Sequence, residues 1–96
     1  MASVSIKMQK SSIPLVKSAI LREKNILKRK LELYEEELKK FEKKRKMSSK
    51  KFLEKFNSGE LGDDEEWFAW EATYHMYMNV KAEYEEAKRS VDVFLD

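Results

Sequence analysis

Residues 47–64, MSSKKFLEKFNSGELGDD, decide how this chain folds. Ser48 or Ser49 can accept a hydrogen bond from a backbone N–H of the following turn, so either caps a short helix. Phe52, Leu53 and Phe56 then share its apolar face. Gly59 is a natural stop, because glycine enters the left-handed conformation that ends helices without a Cβ penalty. Leu61 can tuck under the turn, and Gly62 frees the chain to reverse. Asp63 or Asp64 caps the next helix, with Glu65 and Glu66 in its first turn, where the helix dipole favours negative charge. Residues 47–63 therefore read as a short helix and a turn that send the chain back on itself.

Two uninterrupted helical patterns flank this connector. Ser11 and Ser12 precede Pro14, which suits a first helical turn, and nothing breaks a helix from there to residue 46. Leu27, Leu31, Tyr34, Leu38 and Phe41 advance in steps of four and three, the spacing of a heptad seam. Ile13 and Ile20 extend the seam backward, and Lys24 and Arg45 are its charged interruptions. Such a helix is about 50 Å long. Downstream, Trp67, Trp70, Tyr74 and Tyr77, then Tyr84, Val91 and Leu95, form a second seam, which Val80, Ala87 and Phe94 widen. Two long helices of similar length joined compactly predict an all-α fold, a long antiparallel two-helix hairpin with a short connecting helix. The 96 residues make one domain: an N-terminal arm at 1–12, a basic helix at 13–46, the connector at 47–63 and an acidic aromatic helix at 64–95. Within the arm, Val4, Ile6 and Met8 alternate with polar residues. The arm is either a short strand pairing with another copy or a loose segment.

Composition agrees with long helices whose outer faces are wet. Hydrophobic residues make up 42% and charged residues 40% of the chain, with one proline and two glycines. Without cysteine there is no disulfide or thiol chemistry, and a reducing cytoplasm is the expected home. No apolar run approaches the roughly 20 residues of a membrane span, and the N-terminus lacks the apolar core of a secretion signal. Abundant Lys and Glu beside a single glutamine lean toward a heat-adapted source. The net charge of +2 conceals a division: residues 1–56 hold 17 Lys/Arg against 7 Asp/Glu, whereas residues 57–96 hold 3 against 11. A hairpin explains it, because the basic end of the first helix then lies beside the acidic start of the second. Exposed ion pairs contribute only about 0–1 kcal/mol each, so their role is to select the antiparallel pairing.

Candidate chemistry is sparse. Glu71 and His75 stand one turn apart on a helix, but a metal site needs three or four ligands and this is the only histidine. The acids at 63–66 lack the spacing of a twelve-residue calcium loop and suit helix capping instead. Ser48, Ser49 and Ser58 are turn serines with no base placed beside them. The glycines of GELG make no phosphate loop. No catalytic residue, metal ligand or cofactor is predicted.

Binding is better supported. Trp67, Phe68, Trp70, Tyr74, Tyr77 and Tyr84 carry more apolar area than a two-helix hairpin can cover, and dense aromatics favour interfaces. They are the predicted partner-binding residues, with a homodimeric helical bundle as the expected assembly. The alternative is a dimer that touches nucleic acid through Lys43, Lys44, Arg45, Lys46, Lys50 and Lys51. No recognition-helix motif or aromatic stacking sheet supports that reading. A purely structural homodimer is the third reading.

The middle third of the chain resembles a group of small archaeal and cyanobacterial helical proteins. The residues that carry the resemblance are Met47-Ser48, Phe52 and Phe56, Ser58-Gly59-Glu60-Leu61, the acids Asp63 to Glu66, and Trp67 with Trp70-Glu71. Some members look like the antitoxin side of two-gene toxin–antitoxin pairs. The resemblance implies a non-enzymatic protein that binds a small toxin-like protein encoded by a neighbouring gene.

Overall fold

The fold is set by three helices, α1 (Ile13–Arg45), α2 (Ser49–Asn57) and α3 (Glu65–Leu95), in a computed structural model. It describes residues 13–95, with side chains through residue 93. The expected strand or arm at 1–12, and the side chains of Phe94 and Leu95, lie outside the described residues. Helices α1 and α3 run antiparallel along most of their length with α2 against one end, in a body 57 Å long. No strand occurs among the described residues.

The seams read from the sequence face inward. Along α1, Leu27 and Leu38 are buried, and Ile13, Ile20, Leu31, Tyr34 and Phe41 are half-buried. Along α3, Trp70 and Val91 are buried, and Tyr74, Tyr77, Val80, Tyr84 and Ala87 are half-buried. Two observed pairs fix the register: Arg45 meets Glu66, and Phe41 stacks on Trp70. Stepping back along α1 as α3 advances, the same register sets Tyr34 level with Tyr77 and Ile20 level with Val91.

The connector is built as its residue types dictate. Ser48, in extended conformation, is the N-cap of α2, its hydroxyl accepting from the Lys51 backbone N–H at 3.1 Å. The Glu42 carboxylate, reaching over from α1, accepts the Ser49 N–H at 2.8 Å and places negative charge at the same helix start. At the other end, Glu60 N–H donates to the Lys55 carbonyl at 3.1 Å and Gly59 N–H to the Phe56 carbonyl at 3.2 Å. This is the Schellman arrangement, closed by Gly59 at φ 77°. Leu61 packs beneath it against the core. Asp64 is the cap of α3, with its carboxylate accepting the Glu66 N–H at 2.8 Å.

Helix α1 ends one residue earlier than its sequence suggests. Lys46 adopts φ 55°, a left-handed conformation that a side chain disfavours. Gly59 holds the corresponding place after α2 at no such cost. Lys46→Gly is therefore expected to raise unfolding stability by about 0.5–1 kcal/mol, and Gly59→Ala to lower it by about 1 kcal/mol or more. Urea denaturation followed by circular dichroism reads both.

Candidate functional site

Aromatic side chains from all three helices meet where α2 closes the hairpin. Trp70 and Phe52 are both fully buried, and their rings stack at 4.0 Å between centroids with planes 2° apart. Phe41 of α1 stacks on the same indole at 5.5 Å. Trp67 lies 5.8 Å from Phe52, and Phe56 presents its edge to Phe68 at 5.5 Å. Stacked and edge-on pairs of this kind add about 0.5–1.5 kcal/mol each beyond the area they bury.

One polar group sits inside this apolar cluster, and it has a partner. The Trp70 indole Nε1–H donates to Ser49 Oγ at 2.9 Å, and Ser49 is itself only 4% exposed. Among the described residues no buried side-chain nitrogen or oxygen lacks a hydrogen bond. A serine at the first position of α2 thus fits a small hydroxyl under a large indole, which an unpaired N–H would otherwise penalise.

Beside the cluster, Arg45 grips Glu66 through two bonds, Nη2–H at 2.6 Å and Nε–H at 3.3 Å. Lys44 adds a third donor at 3.1 Å, and the Arg45 guanidinium lies 4.4 Å over the Trp67 ring. The hydrogen bond from Arg45 first, then that from Lys44, holds the Glu66 carboxyl below its usual carboxylate range. This is the meeting of basic and acidic ends expected from the charge division.

The six aromatic residues expected to meet a partner are distributed rather than gathered. Trp70 is enclosed by the chain's own α1 and α2. Trp67, Tyr74 and Tyr77 are half-buried against the same core. Tyr84 is half-buried farther along α3, with Lys88 Nζ 5.9 Å over its ring. Phe68 alone is 50% exposed. The aromatic area expected to exceed what a hairpin covers is in good part covered by α2, whose apolar face docks on Trp67 and Trp70. Beyond the cap or turn role expected of it, Ser49 sits under the indole, and its place one turn before Phe52 on the same small helix is the available signal for that role.

The basic set divides too. Lys44 and Arg45 are engaged by Glu66, while Lys43, Lys46, Lys50 and Lys51 are exposed. His75 Nε2 lies 2.9 Å from Glu71 on the surface of α3. No group of three or more His, Cys, Asp or Glu among the described residues could hold a metal ion. An open cleft of about 280 Å³ beside α2 is lined by Leu38, Glu42, Ser49, Tyr74 and Tyr77, among others. Its Ser48 and Glu42 already serve the start of α2, and its Ser49 is the indole's acceptor. No helix among the described residues is long and apolar enough to cross a membrane. Comparison with protein-family models, curated proteins and solved structures yields no match.

Two expectations follow. Ser49→Ala strands the Trp70 N–H and should cost about 1–3 kcal/mol, whereas in a Trp70→Phe background the same change should cost far less. A double-mutant cycle by urea unfolding measures the difference. For Glu66, the depressed folded pKa means that its contribution is present above the unfolded carboxyl range and is lost as pH falls through the folded value. Glu66→Gln should therefore lower the melting temperature at neutral pH, and the gap to the parent protein should close on acidification below the usual carboxylate pKa.

Proposed function

We propose that this protein is a non-enzymatic interaction module, a helical hairpin whose α2-capped end binds another protein. The observation that carries the reading is Phe68. It is a large aromatic, half exposed, braced edge-on by Phe56 on a tip whose neighbouring rings are locked in place. A rigid, pre-positioned aromatic loses little conformational entropy on binding and suits an interface anchor. Nothing among the described residues makes a positive case for catalysis: Ser48 and Glu42 serve the start of α2, Ser49 accepts from the indole, and His75 pairs with Glu71.

The finer reading is an antitoxin-like role, in which the tip covers a small toxin-like protein from a neighbouring gene. It rests on the resemblance of residues 47–77 to small archaeal and cyanobacterial proteins, some of which look like the antitoxin side of two-gene pairs. Contact with nucleic acid is the second reading, favoured by the exposed quartet Lys43, Lys46, Lys50 and Lys51. Against it, Lys44 and Arg45 are already paired with Glu66 and Asp64.

Co-expression with the neighbouring gene's product tests the first reading. The two proteins should co-purify, and Phe68→Ala should weaken the complex about 30-fold or more while leaving the hairpin folded. Absence of a complex, or no relief of that product's toxicity, counts against it. Steeply salt-dependent binding to duplex DNA or RNA, lost on neutralising the lysine quartet, would favour the second.

A further inference from the structure

Helix α3 carries a second stripe on the flank of its inward seam, with only Val80 and Ala87 shared between the two. Ala69, Thr73, Met76, Val80, Glu83, Ala87 and Ser90 advance in unbroken steps of four and three, the spacing of a coiled-coil seam. Only Glu83 among them is charged, in a chain that is 40% charged. Met76 is 49% exposed. On α1 the corresponding flank, Ala19, Glu23, Ile26, Lys30 and Leu33, also advances in steps of four and three. Ile26 is 43% and Leu33 61% exposed.

Both stripes lie on the same side of the hairpin. On α1 the stripe sits one residue before the inward seam, with Ile26 before Leu27 and Leu33 before Tyr34. On α3 it also sits one residue before the seam, with Met76 before Tyr77 and Glu83 before Tyr84. Reversing a helix and facing it the opposite way are two inversions that cancel, so these flanks point to one side. Helix α2 is on the other side, where the cleft beside it takes Glu35 and Lys39 from the opposite flank of α1. Farther along that other side the hairpin presents Lys28 and Glu85 beside the exposed Leu21 and Met78. One face is thus partly covered by α2, and its opposite, with Ile26, Leu33 and Met76 exposed, has no helix against it among the described residues.

We infer that this bare face is filled by a second copy of the chain, two hairpins stacking into a four-helix bundle with α1 of each over α3 of the other. Continuous heptad spacing on both helices calls for an occupant with two long antiparallel helices, which the chain itself supplies. The stripes are complementary in size: α1 offers Ile26 and Leu33, and α3 offers Ala69, Thr73, Ala87 and Ser90. They are also complementary in charge. Lys30 occupies the α1 flank just before Leu31 and is exposed; Glu83 interrupts the α3 stripe. With Phe41 level with Trp70, Lys30 and Glu83 stand about 3 Å apart along the bundle axis. A two-fold axis parallel to the helices then sets each lysine beside the other copy's glutamate. Two helices about 10 Å wide and about 50 Å long offer a face near 1,000 Å² per copy, above the roughly 800 Å² of a standard interface. Its exposed apolar residues are Ile26 and Leu33 of α1 and Met76 of α3, and beyond Leu33 Glu37 and Lys40 form a polar rim. The inference goes beyond the proposed function, since it concerns the face opposite α2 and holds whether or not the tip binds a partner.

Sedimentation equilibrium of the full chain from about 1 to 100 µM tests it, over the range of ordinary dimer affinities. The expected result is a dimer. Ile26→Glu combined with Met76→Glu should weaken it at least about 100-fold, whereas Leu21→Glu with Met78→Glu, on the opposite flanks, should leave it unchanged. Should the first pair prevent folding, Lys30→Glu and Glu83→Lys decide the matter: each alone weakens the dimer and the two together restore it. A monomer throughout the range overturns the inference. So does a dimer indifferent to the charge exchange or weakened equally by the control pair.

Discussion

A single contact organises this molecule: the Trp70 indole stacked on Phe52, with its N–H bonded to Ser49. The stack attaches α2 to α3, and Phe41 on the same indole attaches both to α1. Because Ser49 is also the first residue of α2, the hydrogen bond fixes where that helix starts as well as where it lies. Glu42 accepting the Ser49 N–H ties the same residue back to α1. Three helices are thus locked around one side chain, and the antiparallel register of the long pair follows from it. The ion pair of Arg45 with Glu66 then selects that register over a slipped one, since a shift of one turn would separate the charges.

The position of α2 gives the hairpin two unlike faces. A nine-residue helix is too short to be stable alone and exists here because its apolar side is buried. In burying it, the chain covers the aromatic start of α3 on one side only. Phe68 remains at the edge of that cover, braced but half open, and this makes the capped end a surface of rigid aromatics. Among the described residues the opposite face receives no helix, and it keeps Ile26, Leu33 and Met76 exposed. The proposed partner and the inferred second copy therefore occupy different surfaces, and the fold permits both at once.

Much of this architecture was legible because it is written in local chemistry. Ser48, Gly59 and Asp64 each mark a helix boundary for a reason that acts within one turn, and the boundaries fall at or beside them. The inward seams were legible because a heptad spacing leaves one face to bury. The docking of α2 was not, since it depends on where the chain reversal carries Phe52 relative to Trp70, which no local rule specifies. For the same reason the aromatic residues read as one interface proved to occupy different environments, with Trp70 enclosed, Phe68 open and Trp67, Tyr74, Tyr77 and Tyr84 between. The left-handed Lys46 was unreadable for another reason: a lysine there is locally unfavourable and is held by the packing on either side of the turn.

The central claim is that each chain encloses its own Trp70. Isotope-filtered nuclear Overhauser spectroscopy on a mixture of labelled and unlabelled chains tests it directly. The account predicts that contacts from the Trp70 indole proton to Ser49, and from its ring to Phe52, arise within one chain and are absent from the interchain spectrum. Their appearance between chains would show that α2 is exchanged between copies, and would contradict it.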